Sequence, residues 1–414
     1  MDTTINIFLA ILKAALAGEQ PSLSREVSPE QWHRLFRLAG IHNVLPLFYE
    51  AVYREPSFLN AQSLPASAKQ QVTRQVITQT IRTAEFLELN DWLQAAGLRP
   101  LVVKGILCRS LYPKPDHRPS SDEDVLIPAE EFDACHRVLT GCGMHTPEPL
   151  EKLSGAYEIP YRKSESPLYI ELHKHLFPPE SDAYGDLNRF FEEVHSRAIG
   201  VNIQGHTVYT LGHTDHLFYL ICHAFKHFLH SGFGIWQVCD IVLYANAYGD
   251  RINWAQVLNN CKAIRAEKFA AAIFQIGRNH LVFDPDRACY PDAWRQLRVD
   301  ELPMLEDLLS GGLYGDASMS RKHSSNITLD AVSAQKQGRK AKGAFLASVF
   351  PAASKLEGRY PYLKKHPYLV PVAWGSRLWD YARETKNSQS NNASDALKIG
   401  KERIALLKEY GIIQ

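Results

Sequence analysis

The sequence predicts an α+β fold: a small mixed sheet with helices of its own, flanked by N-terminal and C-terminal helical regions. Three observations carry this. Apolar residues recur at three- and four-residue spacing up to about residue 95, short apolar runs separated by polar turns fill 96–210, and helical spacing returns from Thr214. The regions expected are therefore 1–95, 96–210 and 211–414.

The opening MDTTINIFLAILKAALAGEQ sets Ile5, Phe8, Leu9, Leu12 and Ala15 on one helical face and has Asp2 where a basic leader would start. It is expected to be a packed amphipathic helix rather than a signal peptide. TAEFLELNDWLQAAG closes the first region as helix, with Gly97 as its C-terminal stop. RPLVVKG then gives a short strand running into Lys104 and Gly105, ILCRSLYP a helix stopped at Pro113, and KPDHRPSS a polar turn. DEDVLI is a strand, and PAEEFDACHRVLTGCG a helix with Pro128 near its start and glycines at its end. AYEIPYRK and LYIELHKHLF alternate as two further strands, and VNIQGHTVY turns as a hairpin about Gln204-Gly205.

In the last region, TDHLFYLICHAFKHFLH, IWQVCDIVLYANAYG, NWAQVLNNCKAIRA and EKFAAAIFQIGRNHL carry helical stripes. Residues 318–343 are polar and net basic and are expected to form a loop or linker, with GRKAKG at its end as a solvated charge run. NSQSNNASD precedes a last amphipathic helix at about 395–410.

Lys+Arg 46 against Asp+Glu 45 leaves a formal net charge of +1, so no global field selects a polyanion partner. The 45% hydrophobic and 22% charged content excludes wholesale disorder. Seven cysteines without a CxxC pair, most of them inside apolar runs, suit a reducing cytoplasm. No apolar run reaches the roughly 18 residues of a membrane span.

HRPSSDEDVLIP, residues 117–128, sets Asp122 and Asp124 two apart ahead of an apolar run. On a strand they share a face while Glu123 points to the other. Two carboxylates a few ångströms apart repel unless a cation lies between them, which makes the pair a candidate magnesium site; ordinary turn chemistry before a buried strand is the alternative. A two-ion site needs a third acid, and Glu171 supplies one between Ile170 and Leu172, where a carboxylate is costly to bury unless it serves a charge. His173 shares its face. Lys104-Gly105, between strand and helix, joins a point charge to a bare backbone and the N–H groups of a helix start, an anion cradle. Magnesium beside an anion cradle is the chemistry of nucleotidyl or phosphoryl transfer. Neither GxxxxGK[ST] nor GxGxxG occurs, so P-loop, Rossmann and protein-kinase solutions are not indicated.

LVVKGILCRSLYPKPDHRPSSDEDVLI resembles the K-G, L-Y, R-x-x-x-D-x-D string of a branch of the DNA polymerase beta-like nucleotidyltransferase superfamily, through Lys104, Gly105, Leu111, Tyr112, Pro113, Arg118, Asp122 and Asp124. The resemblance continues through Glu171 and His173 in IELH, through His223, Lys226, His227 and Asp240 in HAFKHFLHSGFGIWQVCD, and into YPYLKKHPYLVPVAW. It implies a nucleotidyltransferase-type sheet and transfer of a nucleoside monophosphate from an NTP, with Asp122, Asp124 and Glu171 as metal ligands and catalytic acids. Lys104 and Arg118 are then expected near the triphosphate, Arg118 alternatively ordering the turn. The chain departs from the pattern at Ser121, where glycine is usual, and at Glu123, where an apolar residue is usual.

His216, His223, His227 and His230 lie on one helix face at offsets of 7, 4 and 3. As zinc ligands with Asp240 they would make a hydrolase; with Lys226 they would line a nucleotide pocket; or they are hydrogen-bonded histidines at a helix interface. HExxH is absent, so pocket lining is expected for His223 and His227 and the interface role for His216 and His230, with His175 a further neighbour of the site. The expected nucleotide contacts are thus Lys104, Gly105, Arg118, His173, His223, Lys226, His227 and Asp240. The expected protein is a cytoplasmic transferase using Mg2+, or Mn2+ in its place, with an NTP and an acceptor that is a small molecule, peptide, protein or RNA end. A catalytically silent nucleotide-binding or interaction module of the same fold is the alternative.

Overall fold

The computed structural model describes the chain except for residues 1, 24–25, 154, 231, 312–318, 339–352, 357, 359, 377–378 and 380–392; for 311, 319–324, 354–355 and 393–397 it describes the backbone alone. The chain packs into two compact units, Met1–Ala224 with Gly234–Leu309, and Phe225–Phe233 with Ser310–Gln414.

The first unit opens with α1 (Thr3–Ala17), α2 (Pro29–Ile41), α3 (Leu45–Val52), α4 (Pro56–Leu59) and the long α5 (Leu64–Ala95). Ser28 and Gln31 form a reciprocal capping box around Pro29, which fixes the start of α2. Phe8 of α1 stacks on Phe48 of α3 at 5.6 Å, as the apolar face in the opening segment anticipates.

Next come β1 (Leu101–Val102), α6 (Gly105–Arg109), β2 (Glu123–Leu126), α7 (Phe132–Gly141), β3 (Met144–His145), α8 (Leu150–Leu153), β4 (Glu158–Lys163) and β5 (Tyr169–His173). A separate hairpin, β6 (Ile199–Ile203) with β7 (His206–Thr210), turns at Gln204 and Gly205, both at positive φ, where the sequence places the turn. The main sheet has the order β1-β2-β5-β4-β3, and β2 with β5 is its parallel pair. It is therefore a small mixed sheet with helical flanks. The two-residue edge strand β3 was not expected: it is too short to show alternation.

Val125 and Ile127, Ile170 and Leu172, and Ile159 and Tyr161 share one apolar core with Phe86, Leu89 and Leu93 of α5 and Cys135 and Leu139 of α7. Strand alternation sends the intervening Asp124, Glu158, Glu171 and His173 to the opposite face. The helices that follow are α9 (His213–Leu229), α10 (Ile235–Tyr248), α11 (Trp254–Ala263), α12 (Glu267–His280), α13 (Asp292–Arg295) and α14 (Leu302–Gly311).

The second unit contains α15 (Met319–Lys336), α16 (Ala353–Leu356) and α17 (Ala393–Glu409). Most of 318–343, expected as a loop, is therefore helix. The buried positions of α15 are the small or polar Thr328, Ala331, Val332, Ser333 and Ala334, too weak an apolar stripe to register. They suffice because a Cβ at Gly400 would lie 2.7 Å from Ile327 Cδ1: bare backbone lets α17 approach α15 closely. Of GRKAKG, residues 339–343 lie outside the described residues, as do 387–392 of the segment before α17. Among the described residues no helix is long and apolar enough to cross a membrane.

Candidate metal and nucleotide site

The polar face of the sheet is set by strand register. Asp124 of β2 stands directly opposite Glu171 of the parallel β5, and Glu158 of the antiparallel β4 stands directly opposite His173. His173 Nε2 lies 3.1 Å from Asp124 Oδ1 and 3.8 Å from Glu171 Oε2, and its Nδ1 lies 3.7 Å from Glu158 Oε2. One ligand atom from each of Asp124, Glu171 and His173 falls within 4.8 Å of the others. Two carboxylates and an imidazole at that separation fit a divalent cation.

Lys104 follows β1 and reaches the same place. Its Nζ lies 2.8 Å from Asp124 Oδ2 and 3.3 Å from His223 Nε2 on α9. Gln237 Nε2, its amide oriented by a bond from Gly234 N–H to its oxygen, lies 3.2 Å from His223 Nδ1 and steadies the ring. Burial alone would favour the neutral amine, but Asp124 and then Asp122 outweigh it and raise the Lys104 pKa, so the ammonium is retained. Burial likewise opposes ionisation of Asp124, yet Lys104 and His173 hold its carboxyl well below the usual range. Glu171 goes the other way, pushed up to about 7 by burial and by the charges of Asp124, Asp122 and Glu158. His173 is held above its ordinary value despite burial, chiefly through Asp124.

Asp122 sits half-buried immediately before β2, and its charge is felt at both Lys104 and Glu171. The group within ligand distance is nevertheless Asp124, Glu171 and His173.

Glu123 is fully buried on the helical face, where it accepts from Arg109 Nη2 at 2.6 Å and from Ile106 N–H at 2.9 Å. This changes the reading of Lys104-Gly105. The start of α6, expected to cradle a phosphate, already holds the Glu123 carboxylate, and a Cβ at Gly105, whose φ is +43°, would meet Glu123 Oε2 at 1.9 Å. Gly105 thus makes room for Glu123, and Lys104 alone of that pair faces the acids.

Arg118 and Asp240 form a buried bidentate pair, Nε to Oδ1 at 3.0 Å and Nη2 to Oδ2 at 2.5 Å, and Tyr112 donates to Asp240 Oδ1 at 2.8 Å. Both are almost inaccessible, so the pair ties the loop before β2 to α10 and presents no donors outward. Asp240, which a zinc hydrolase would need, is bound to these partners. His223 belongs to the first unit, whereas Lys226 and His227, one turn further along α9, belong to the second. His216 is buried, 3.0 Å from Thr210 Oγ1, and burial lowers its pKa to about 3; His230 is lowered to about 4, again mainly by burial. His175 is exposed.

The sequence reading missed Glu158 and Arg109. Glu158 opens the strand AYEIPYRK, and only the antiparallel register with β5 turns it toward His173. Arg109 carries no signal until Glu123 is known to face it.

The model of a family described as uncharacterised nucleotidyltransferase matches residues 28–281. No curated protein and no solved structure matches the chain.

Proposed function

The chain belongs to the uncharacterised nucleotidyltransferase family, whose model spans more than half of it, and from that premise we propose that it transfers a nucleoside monophosphate from an NTP to an acceptor nucleophile, releasing pyrophosphate. The observation that carries this reading is the cross-strand pair Asp124–Glu171 on the polar face of the sheet, with Lys104 against Asp124. Four acids, Asp122, Asp124, Glu158 and Glu171, act there on Lys104 and His173, and burial together with the neighbouring carboxylate charges raises Glu171 to about 7.

In this mechanism Asp122, Asp124 and Glu171 would hold the divalent ion. When bound, it would neutralise phosphate charge and favour in-line displacement at the α-phosphorus. Lys104, with His223 beside it, turns its ammonium to the triphosphate. Glu171 would take the acceptor's proton through its carboxylate as the new P–O bond forms and the bond to pyrophosphate breaks. Glu123, Arg109, Arg118 and Asp240 hold the two loops that carry these groups. The departure at Glu123 concerns the helical face and leaves the metal face intact.

The test is labelling of cell extract with each of the four α-labelled NTPs. Transfer of label is expected with the parent protein and is lost in Asp122→Asn/Asp124→Asn; label that persists unchanged in the variant refutes the assignment. The same assay reports the base preference and isolates the acceptor.

A further inference from the structure

We propose that His173 Nε2 is itself a metal ligand, oriented by Glu158, so that the site selects a first-row transition ion such as Mn2+ over Mg2+. This rests on the proposed nucleotidyl-transfer reading for there being an ion at all, and adds which ion and why.

His173 is buried, yet its Nδ1 has no hydrogen-bond partner among the described residues. The group facing that nitrogen is Glu158, directly across the strand pair, with its Oε2 at 3.7 Å. Tyr157, its ring centroid 6.2 Å from that of His173, bonds Glu158 through its hydroxyl. Without an ion, Asp124 draws a proton to Nε2; once an ion displaces it, the carboxylate facing Nδ1 keeps the remaining proton there and leaves the lone pair on Nε2 for the ion, the arrangement that orients imidazoles at metal centres. Nε2 is also the atom that lies among the acids, 3.1 Å from Asp124 Oδ1 and 3.8 Å from Glu171 Oε2. Ligation exchanges any Nε2 proton, released to solvent, for the ion. A site of oxygens alone suits Mg2+, whereas an imidazole nitrogen adds affinity for transition ions and little for Mg2+. The bland alternative is that His173 donates from Nε2 to Asp124 and stays outside the coordination shell.

Pulsed EPR of Mn2+ bound to the full-length chain separates the two and needs no variant. The protein is loaded with Mn2+ and inorganic tripolyphosphate, which brings no nitrogen of its own, and affinities for Mn2+ and Mg2+ are measured by calorimetry on the same sample. The expected result is a directly bound nitrogen in the Mn2+ spectrum and a preference for Mn2+ of about tenfold or more. In His173→Gln the nitrogen signal disappears and the preference falls toward parity; in Glu158→Gln it remains, with Mn2+ affinity weakened roughly tenfold or more. Stoichiometric Mn2+ without bound nitrogen, or a nitrogen signal that survives in His173→Gln, overturns the inference and leaves nucleotidyl transfer standing. Failure to bind either ion overturns both.

Discussion

Arg109→Met is the most direct test of how this site is built. In the parent, the Arg109 guanidinium meets Glu123 Oε1 at 2.6 Å and Ser120 Oγ at 2.6 Å, and the side chains of Arg109 and Glu123 are only 1% and 0% exposed. Removing one partner leaves the other charge buried, at a cost of about 3–5 kcal/mol. For a unit of this size the loss corresponds to a fall in Tm of about 6–15 °C. Arg109→Met/Glu123→Gln removes both charges while keeping an oxygen for the Ile106 N–H, so it should recover at least about half of that loss. Calorimetric unfolding of the parent, the two single variants and the double variant closes the cycle. A melt of Arg109→Met within about 2 °C of the parent would refute the claim that Glu123 is compensated by Arg109. Metal binding by the double variant should match the parent, because Glu123 lies on the opposite face of the sheet from Asp124 and Glu171.

Other outcomes follow from the same contacts. Asp240→Asn strips Arg118 of its bidentate partner and should lower Tm by a similar amount, about 3–5 kcal/mol in unfolding free energy, while metal binding in the folded fraction persists. Gly105→Ala forces a Cβ onto Glu123 at a positive φ and should cost about 1–3 kcal/mol or more, read by chemical denaturation. Saturating the ion at about 100 Kd should stabilise the parent by about 2.7 kcal/mol and leave Asp124→Asn unmoved, read as a Tm shift reversed by chelator. His42 and His216 have folded pKa values lowered to about 4 and about 3, chiefly by burial, so the unfolded chain takes up protons first as pH falls below the ordinary histidine value of 6.5. Their contribution is complete above that pH and should decline by a few kcal/mol each toward pH 4, so Tm that stays flat from pH 7 to about 4.5 would exclude it.

Much of the site was legible because its chemistry is local. Asp124 and Glu171 stand out as acids in extended apolar surroundings, and the hairpin at Gln204-Gly205 follows from turn residues alone. The remainder depends on partners remote in sequence. Arg118 and Asp240 are ordinary polar residues until a separation of 122 positions is closed, whereupon two expected nucleotide contacts become an internal tie. The glycine after Lys104 was expected to admit a phosphate, and the anion it admits is Glu123, 17 residues from the Ile106 N–H that it caps. α15 escaped notice because its buried face is made of small and hydroxyl side chains, whose burial has meaning only beside α17.

The ion pair between Lys104 and Asp124 has a consequence for the order of events. The lysine holds one oxygen of the carboxylate that a cation would need in the proposed reaction, and the carboxylate holds the charge that a triphosphate would need. A ligand that engages one of them frees the other. Cation and nucleotide should therefore each strengthen the other's affinity by the same factor, a reciprocal coupling that discourages the site from filling with either alone.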